Sequence, residues 1–382
     1  MTGILSEEQQ LIQQTAREFA LREVLPVANE LDPRREDMPA GMLERMGELG
    51  FFGLRIPEEF GGLGLGCLEY CIVTEELSRA WMSVGSIIRP MIGMQAMSPA
   101  QQQKYLPKMA RGEALGAFAF SEPSAGSDLS SVACRARREG DVWVITGNKY
   151  WCTYADGADY IMVLARTDPD AGKRHRGISA FILDKERGKL PPGVTGNPIP
   201  KIGYFGWKTW ELSFDSVRVP HANMLGEEGK GFYVASTGLE VARAHTAARA
   251  IGLARGALED ALVYAKERVQ FGHAIGEFQA IRFKLAQMAT EIEAARQLLY
   301  AVCRMIDTGE RCDKEAAMAK LFATEMAERV ASEALQIFGG AGYTTLHAVE
   351  RYWRDARLTK IFEGTSEMQK RIISDHLLGK SR

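Results

Sequence analysis

A carboxylate near the C-terminal end of the chain lies in a setting suited to proton transfer. Positions 361–367 read I-F-E-G-T-S-E, so Glu363 stands between an Ile-Phe pair and a Gly-Thr step. Apolar neighbours favour the protonated form of a carboxylic acid, and glycine lets a second molecule approach the backbone closely. The pattern is typical of a general base that removes a proton from a substrate. Taken alone, the same letters also fit a surface turn or the start of a helix.

Three further stretches combine aromatic, small and polar residues in ways that suit a bound ligand. The first, A-F-A-F-S-E-P-S-A-G-S-D at 117–128, alternates aromatic and small residues before a polar turn, so a flat ligand can lie on it. The second, G-N-K-Y-W-C-T at 147–153, is predicted to be a turn and strand that place Trp151 and Thr153 on one face. The third pairs R-V-Q-F-G at 268–272 with Q-I-F-G-G-A-G-Y at 336–343 and suits a diphosphate. Each stretch alone also fits a scaffold role, as a β-turn, a core tryptophan or a helix C-cap.

The elements that must position these residues fall into three regions. Residues 1–114 are predicted to be helical, because Ser6 and Gln9 can form a capping box and apolar residues then recur every three or four positions. Residues 115–226 hold short apolar or alternating runs separated by turn residues, which predicts an antiparallel barrel or sandwich. Residues 227–382 are predicted to be helical again. There, an apolar stripe from Ile281 to Ile306 predicts a long helix of an antiparallel bundle, with Met288 in the core.

Bulk composition excludes several classes of function. With 382 residues, of which 46% are hydrophobic and 25% charged, the chain is too long for one core. A formal net charge of -2 and scattered basic residues argue against nucleic-acid binding. The first ten residues do not resemble a leader, and no run of about eighteen apolar residues occurs, so we expect a cytoplasmic protein without a membrane anchor.

The cysteines and histidines predict neither a disulfide scaffold nor a metal site. Six cysteines in a chain of this length are too sparse for a disulfide framework. The one close pair, Cys67 and Cys71, has the spacing of a single helix face, and two ligands do not make a zinc site. The six histidines are dispersed.

Taken in order, the motifs resemble those of the acyl-CoA dehydrogenase family across nearly the whole chain. That family is recognised by T/S-E-P-x-A-G-S-D, K-x-W-I-T, R-x-x-F-G, G-G-x-G-Y and a late E-G-T. Here the same order is filled by S-E-P-S-A-G-S-D, K-Y-W-C-T, R-V-Q-F-G, G-G-A-G-Y and I-F-E-G-T-S-E. The resemblance implies an α+β fold with an N-terminal helical domain, a middle antiparallel β-barrel and a C-terminal four-helix bundle. It also implies FAD, bound between the last two domains and a neighbouring subunit of a homotetramer.

The resemblance gives Glu363 a specific role. It matches the family's base, which removes the α-proton of an acyl-CoA thioester while the β-hydrogen leaves as hydride to flavin N5, giving a trans-2-enoyl-CoA. Phe362 and Gly364, on either side of it, are expected to meet the substrate. The α-proton becomes acidic only when the thioester carbonyl is polarised, and in the family the backbone N–H of the base residue helps to do so. Some relatives carry the base immediately before the residue that matches Arg243, but this chain has Ala242 there.

The flavin contacts follow from the same resemblance. One group is expected along the isoalloxazine ring and towards the pantetheine or pyrophosphate: Phe118, Phe120, Ser121, Gly126, Ser127, Trp151 and Thr153. A second group, expected from the adjoining subunit or the last helix, holds the diphosphate and adenosine: Arg268, Phe271, Gln336, Gly340, Thr365 and Glu367. Ser127 is also expected to touch the substrate. Glu367 departs from the glutamine that is commoner in the family.

Four charged residues are expected to contact the substrate. Glu240 and Arg243 match a pair that positions the pantetheine arm, although they also fit a simple i, i+3 salt bridge. Arg79 matches an arginine that grips a distal carboxylate in a related dehydrogenase of glutaryl-CoA. Arg89 lies in a segment that is shorter than usual and lines the acyl pocket. We therefore expect a short, branched, cyclic or carboxylated acyl group. Trp207 and Trp210 replace residues that are usually small or polar, without a physical explanation from the sequence.

Other functions fit the sequence less well. An acyl-CoA oxidase that uses O2 has the same site, but typical members carry an extra C-terminal domain. A desulfinase or monooxygenase of this fold normally lacks the late glutamate. A non-catalytic assembly partner would have lost the base or the flavin residues. The resemblance implies an electron-transferring flavoprotein as the electron acceptor.

Overall fold

The N-terminal region is helical up to Ala110 in the computed structural model, which describes residues 5–170, 172 and 174–379. Its helices are α1 (Glu7–Phe19), α2 (Leu25–Leu31), α3 (Ala40–Glu48), α4 (Cys67–Ala80), α5 (Met82–Ile87) and α6 (Pro99–Ala110), with a π-helical turn at Ala20–Val24 between α1 and α2. The predicted capping box is confirmed: the Ser6 hydroxyl accepts from the backbone of Gln9, whose side chain accepts from the backbone of Ser6. The G-x-G-x-G stretch at 62–66 is a loop that leads into α4.

The middle region is one eight-stranded sheet, in the order β6-β7-β3-β2-β4-β5-β8, with β1 paired to β4. Its strands are β1 (Gly116–Ala119), β2 (Arg135–Glu139), β3 (Val142–Thr153), β4 (Tyr160–Arg166), β5 (Ile178–Asp184), β6 (Val194–Pro198), β7 (Thr209–Pro220) and β8 (Met224–Leu225). The pairing is largely antiparallel, as predicted, but β1 and β2 each run parallel to β4. Within the described residues the end strands β6 and β8 do not pair with each other, so hydrogen bonds do not close the sheet.

The C-terminal region is built on three long helices. They are α8 (Leu239–Glu267), α9 (Gln279–Asp307) and α10 (Asp313–Phe338), with the short α7 (Gly231–Ser236) before them. A small hairpin, β9 (Val269–Gln270) and β10 (His273–Ala274), joins α8 to α9. The stripe predicted on α9 is confirmed, since Met288, Ile292 and Leu299 are buried. In place of a fourth long helix, the chain forms α11 (Val349–Thr359) and α12 (Ser366–Leu378), and the break between them contains Glu363.

The two helical regions share one hydrophobic core. It joins residues of α1 to α5 with residues of α8 to α11, because α4 packs along α8. A second cluster lies between α6 and the sheet, and a third lies on the other face of the sheet. No helix in the described part of the chain is long and apolar enough to cross a bilayer.

Candidate active site

Glu363 lies in a strained turn between α11 and α12. Its φ angle is +53° and that of Gly364 is +91°, so two consecutive residues adopt a left-handed backbone. Such a conformation is uncommon for a residue with a side chain and points to a functional constraint. The carbonyl of Gly364 accepts hydrogen bonds from Lys320 Nζ at 2.8 Å and from Gln369 Nε2 at 2.9 Å. These two donors hold the turn in place from α10 and α12.

The structure gives a further explanation for the glycine at position 364. A Cβ atom there would lie 2.6 Å from Gln369 Nε2, in addition to the strain of the positive φ angle. The sequence analysis attributed the glycine to close approach of a substrate. In the structure, the same glycine also lets the side chain of Gln369 reach the turn that carries Glu363.

Two residues of α8 hold the carboxylate of Glu363. Arg249 Nη2 donates to Oε1 at 2.6 Å, and the Thr246 hydroxyl lies 2.9 Å from Oε2. The Arg249 side chain is fully buried, whereas that of Glu363 is 24% exposed. The carboxylate is thus held by α8 on one side and exposed on another.

The expectation that apolar neighbours keep Glu363 protonated is wrong. Burial raises the pKa of its carboxyl, but Arg249, His245 and Arg89 together outweigh burial and lower that pKa to about 2. His245 contributes little charge near pH 7, because burial lowers its own pKa to about 3. Glu363 is therefore ionised at neutral pH and can accept a proton.

The backbone N–H of Glu363 has no hydrogen-bond acceptor within the described part of the chain. A buried or ligand-facing N–H usually has a partner, so this donor is available for an oxygen of a bound molecule. The family resemblance predicts such a donor for the thioester carbonyl. The base and the donor then belong to one residue.

Aromatic rings support the turn from the side of the sheet. Arg249 lies over the ring of Phe362 at 4.5 Å, and Phe362 meets Tyr204 edge-on at 5.9 Å. Tyr204 in turn packs on Trp207, which is buried. Trp210 donates from Nε1 to Asp156 at 3.0 Å. The two tryptophans that the sequence left unexplained are thus structural, and Trp207 packs behind the turn that carries Glu363.

Arg89 brings a second cation to the site. It lies after α5, with its guanidinium 4.5 Å from the centroid of the Phe118 ring. It is partly exposed, and it has no ion-pair or hydrogen-bond partner among the described residues. Its charge helps to lower the pKa of Glu363. Its side chain also lines a small cavity with Ile87, Met91 and Tyr160.

The first group of predicted flavin residues lies along one edge of the sheet. Phe118, on β1, and Phe120 point the same way, with ring centroids 5.4 Å apart. The carbonyl of Ser121 accepts from the backbone of Tyr150 at 2.8 Å, which ties this stretch to β3. Gly126 and Ser127 follow in an exposed loop, where a Cβ on Gly126 would meet open space.

A buried ion pair that the sequence analysis passed over organises this stretch. Glu122 accepts from Lys149 Nζ at 2.8 Å and from the backbone N–H groups of Ala133 and Cys134. Lys149 also donates to the carbonyl of Phe120. Both side chains are almost completely buried. The pair fixes the start of the S-E-P-S-A-G-S-D loop against β3.

The reasoning that placed Trp151 and Thr153 on one face by strand alternation does not hold. A β-bulge interrupts the β3–β7 register between Lys149 and Cys152, and Trp151 has a φ angle of +64°. Its indole is 56% exposed and stands edge-on to Tyr150. Thr153 lies 3.1 Å from Thr209 through the two hydroxyls. A large exposed ring on a strained bulge fits contact with a flat ligand.

Four of the six residues in the second group of predicted flavin residues lie at the other end of the C-terminal helices: Arg268, Phe271, Gln336 and Gly340. Phe271 is 92% exposed at the tip of the β9–β10 hairpin, three residues after Arg268 at the end of α8. Gln336 and Gly340 lie at the end of α10, and the stacked rings of Tyr264 and Phe338, 4.2 Å apart, join these two ends. At 1.5 Å per residue, Arg268 lies roughly 28 Å along α8 from Arg249. The structure therefore places these four residues far along the helices from Arg249, whereas Thr365 and Glu367 follow the turn that carries Glu363.

Thr365 and Glu367 open the last helix. The Thr365 hydroxyl caps α12 by accepting from the backbone of Met368, and Glu367 is exposed in the first turn. A carboxylate in the first turn of a helix is favourable without any ligand. Their predicted contacts with the cofactor stay predictions.

The structure does not support a substrate role for Arg79. Its guanidinium, which is buried, donates to Glu259 at 2.7 Å, to Asp260 at 3.1 Å and to the hydroxyl of Tyr352. Because these partners occupy its Nε and both terminal nitrogens, Arg79 is not available to grip a substrate carboxylate. It joins α4 to α8 and α11 inside the shared core.

The alternative reading of Glu240 and Arg243 as an i, i+3 salt bridge is wrong. Arg243 pairs instead with Asp313 of α10, with Nη1 and Oδ1 3.4 Å apart. Glu240 is partly exposed in the first turn of α8. Their predicted role at the pantetheine arm stays a prediction.

The site residues lie within a chain whose relatives are known. Residues 6–113, 117–217 and 229–378 match the N-terminal, middle and C-terminal domains of acyl-CoA dehydrogenase. The chain belongs to the acyl-CoA dehydrogenase family. It is an oxidoreductase of the acyl-CoA dehydrogenase type, as the sequence motifs indicated.

Two curated relatives match this acyl-CoA dehydrogenase over almost all of its length. An "Acyl-CoA dehydrogenase" of Bacillus subtilis (strain 168) is 42% identical over 382 residues, covering 98% of this chain and 99% of the relative. A "(2S)-methylsuccinyl-CoA dehydrogenase" of Cereibacter sphaeroides is 44% identical over 385 residues, covering 98% and 70%.

Solved structures agree with the observed fold. A glutaryl-coenzyme A dehydrogenase in complex with glutaryl-CoA has a TM-score of 0.92 at 36% identity, covering 100% of this chain and 98% of that one. A structure described as an electron transferring flavoprotein of Acidaminococcus fermentans has a TM-score of 0.92 at 40% identity, covering 99% and 100%. An FAD complex of PigA has a TM-score of 0.91 at 28% identity, covering 99% and 100%. The predicted order of helical, β and helical domains is confirmed.

Three buried polar residues that hold the turn at Glu363 and Gly364 were not predicted from the sequence. They are Thr246, Arg249 and Lys320. The available signal was a set of charges inside two alanine-rich helical segments, since a charge that is buried needs a partner. The sequence did not reveal which carboxylate is the partner of Arg249.

Three buried thiols meet away from this site. Cys303 of α9 lies beside Cys67 and Cys71 of α4, and the three Sγ atoms are within 4.8 Å of one another. All three side chains are completely buried in the shared core. The sequence analysis considered only the first two, because the third comes from a distant helix.

Proposed function

We propose that the chain converts a short acyl-CoA thioester that carries a distal carboxylate to a trans-2-enoyl-CoA. Glu363 takes the α-proton, and FAD, when bound, accepts the β-hydrogen as hydride at N5. The observation that carries this proposal is the side chain of Glu363, whose carboxyl group is fixed by Arg249 and Thr246 and open on one side.

The site polarises the substrate as well as accepting its proton. The unpaired backbone N–H of Glu363 can donate to the thioester oxygen, which stabilises the negative charge that develops as the α-proton leaves. The carboxylate needs no proton loss before it acts, because its pKa is far below neutral pH. Holding base and donor on one strained turn fixes their separation before the substrate arrives.

The residues of the sheet edge fit a flavin. Phe118 and Phe120 offer apolar surface, Trp151 is a large exposed ring on a strained bulge, and the loop at Gly126 is open. Arg268, at the end of α8, lies roughly 28 Å along that helix from Arg249, away from the proposed base. We propose that a second copy of the chain brings its Arg268 and Phe271 to this cofactor, in the homotetramer that the family resemblance implies.

A distal carboxylate is favoured by Arg89. This cation lies beside the proposed flavin face without an ionic partner in the described residues, while its charge is felt at Glu363. An unpaired, partly buried guanidinium is suited to a carboxylate ligand. The similarity to dehydrogenases of methylsuccinyl-CoA and glutaryl-CoA supports the same class.

Anaerobic bleaching of the purified protein tests the reaction. A yellow protein should lose its flavin absorbance when acyl-CoA is added. Glu363→Gln should keep the colour and the affinity for acyl-CoA but lose bleaching by roughly 1000-fold. Asp375→Asn, which removes a carboxylate from the last helix, serves as control and should bleach normally. Equal bleaching by Glu363→Gln and the unmodified protein would contradict the proposed base.

Matched neutral and carboxylated substrates test the acyl group. We expect higher kcat/KM with succinyl-, glutaryl- and methylsuccinyl-CoA than with butyryl-, valeryl- and 2-methylbutyryl-CoA. Arg89→Met should lower kcat/KM for the carboxylated members by roughly 100-fold, because a close charge pair contributes about 2–5 kcal/mol, and leave the neutral members within about threefold. A best substrate of eight or more carbons would overturn this assignment, and a preference for branched or cyclic neutral groups would replace it.

The electron acceptor is proposed to be an electron-transferring flavoprotein. The similarity to the structure described for that flavoprotein of Acidaminococcus fermentans supports the choice. An oxidase is the second possibility, and comparing turnover with a purified electron-transferring flavoprotein against turnover with air-saturated buffer separates the two. Faster turnover with O2 would favour the oxidase.

A further inference from the structure

We propose that Arg249 is a positioning residue for Glu363, which fixes the direction of the base from beneath and keeps it ready to accept a proton. This inference rests on the proposed function, because it concerns how the proposed base is held. It adds a residue of α8 to a site that the sequence motifs placed on the turn before α12.

The contacts of Arg249 engage both oxygens of the base. Arg249 Nη2 donates to Glu363 Oε1 at 2.6 Å and to the Thr246 hydroxyl at 2.8 Å. That hydroxyl lies 2.9 Å from Glu363 Oε2 and 2.9 Å from the carbonyl of Ala242, so its proton can serve either acceptor. Each carboxylate oxygen has two lone pairs, so the base keeps capacity for the substrate's proton.

Arg249 itself has little freedom to move. Its side chain has no exposed surface, Nη1 donates to the hydroxyl of Ser86 at 3.0 Å, and the guanidinium lies 4.5 Å from the centroid of the Phe362 ring. A buried guanidinium held on three sides is a fixed reference, and the carboxylate adjusts to it. The strained turn holds the backbone of Glu363, and Arg249 holds its carboxylate. Together they limit the Glu363 side chain to a narrow range of orientations.

Other groups face Glu363 but are placed differently. They are His245 on α8, Tyr70 on α4, Lys320 on α10, Arg89 after α5 and Tyr204 before β7. Among the described residues, only Arg249 makes an ion pair with Glu363. Lys320 donates to the neighbouring Gly364 carbonyl instead. Removing Arg249 should therefore affect the protonation of the base more than any other single change.

A second buried arginine on the same helix supplies the control. Arg255 pairs with Glu75 and Glu76 at 3.1 Å and 2.5 Å, and its side chain is 11% exposed. It lies about 9 Å further along α8 than Arg249. Replacing it removes a buried ion pair of the same kind without touching the base, so it reports the effect of a purely structural loss.

The test measures removal of the α-proton separately from oxidation. An acyl-CoA analogue with sulfur in place of the β-carbon can lose an α-proton but cannot transfer a β-hydride. Exchange of its α-hydrogens in D2O, followed by mass spectrometry on the FAD-loaded enzyme, gives the rate of proton removal between about pH 5 and about pH 9. Because the pKa of Glu363 is about 2, the unmodified enzyme should show no loss of exchange at the acid end of this range. Arg249→Gln should bring such an acid limb into the range, since burial then raises the pKa of the carboxyl without the opposing cation. Arg249→Lys should move the limb back towards lower pH, while exchange stays at least about tenfold slower because a point charge orients a carboxylate poorly.

The Arg255 variants distinguish a positioning role of Arg249 from a purely structural one. Arg255→Gln and Arg255→Lys should show no acid limb in this range, whatever they do to stability. The absence of an acid limb in Arg249→Gln, or the same limb in Arg255→Gln, would overturn the inference. If Arg249→Gln does not fold, Arg249→Lys decides, since an exchange rate equal to that of the unmodified enzyme contradicts positioning. Absent exchange in the unmodified enzyme, or unchanged exchange in Glu363→Gln, would instead refute the proposed function.

Discussion

Tyr204 packs edge-on against Phe362, with ring centroids 5.9 Å apart and an interplanar angle of 87°. Tyr204 belongs to the segment before β7, whereas Phe362 directly precedes the proposed base, so this contact joins the middle region to the base turn. Trp207 extends the contact, with its ring 5.2 Å from that of Tyr204. Arg249 covers Phe362 from α8. The turn is thus supported by aromatic packing from the sheet and by a cation from the helices.

The first prediction concerns this aromatic support. Phe362→Leu should lower kcat about tenfold and the free energy of unfolding by about 1–2 kcal/mol, because it removes both the ring beside Arg249 and the edge contact. A double-mutant cycle with Tyr204→Leu should give a coupling of about 1 kcal/mol in thermal or urea unfolding.

A remote aromatic pair is the control for this prediction. Phe19 and Phe51 lie 5.7 Å apart in the N-terminal region. Phe51→Leu should lower stability by a similar amount and leave kcat unchanged. Strict additivity of Phe362→Leu and Tyr204→Leu would show that the contact does not support the turn.

The second prediction concerns the backbone of the same turn. Gly364→Ala should lower the free energy of unfolding by about 1–3 kcal/mol, because alanine is strained at a φ angle of +91°. It should also lower kcat at least about tenfold, because the new Cβ displaces Gln369, whose Nε2 lies 2.6 Å away. Gly309→Ala separates the two effects, since Gly309 has a φ angle of +76° but no atom within 4 Å of the added Cβ. It should lose stability alone, and a loss of kcat in both variants would mean that general destabilisation explains the result.

The order of helical and β regions could be predicted because each type of element leaves a local period in the sequence. The apolar stripe of α9 is one example, and the capping box at Ser6 is another. The pairing of α4 with α8, which gives the helical regions one core, leaves no such period. It depends on side chains far apart in the chain, so the sequence analysis treated those regions as separate.

The site likewise has some features that the sequence predicts and others that it does not. Glu363 could be placed by its motif, but its protonation could not, because Arg249 comes from a helix more than a hundred residues earlier. The role of Arg79 was mispredicted for a similar reason, since its partners on α8 are distant in sequence. The alternation argument for Trp151 failed because a β-bulge adds a residue that the period of two does not reveal.

The third prediction concerns the buried ion pair behind the proposed flavin face. Glu122→Leu should lower the free energy of unfolding by about 3–5 kcal/mol, because it leaves the Lys149 ammonium buried without a counter-charge. The same change leaves two backbone N–H groups without their acceptor, so the loop after Ser121 should loosen and the purified protein should hold less flavin. Flavin absorbance per protein and thermal unfolding measure both effects.

A double variant and an exposed pair make this third prediction specific. Glu122→Leu combined with Lys149→Met should be more stable than Glu122→Leu alone, since no charge is then left unpaired. Lys104→Met, which breaks an exposed pair with Asp184, should cost no more than about 1 kcal/mol. Equal flavin content in Glu122→Leu and the unmodified protein would show that the pair does not shape the site.

The last prediction concerns Lys320, whose ammonium holds the Gly364 carbonyl. Burial lowers the pKa of Lys320 to about 8, although Glu363 and Glu325 oppose this shift. Between that value and the higher pKa of an unfolded lysine, the unfolded chain binds more protons, so the contribution of Lys320 to stability rises with pH. Between pH 7.5 and pH 9.5 the stability of the unmodified protein relative to Lys320→Met should increase by about 2 kcal/mol. Thermal unfolding of both proteins at the two pH values measures this change, with Lys189→Met, at an exposed position, as the control that shows no pH-dependent difference. A stability difference that shrinks as the pH rises would mean that Lys320 is stabilised in its charged form, and that the turn depends on that charge.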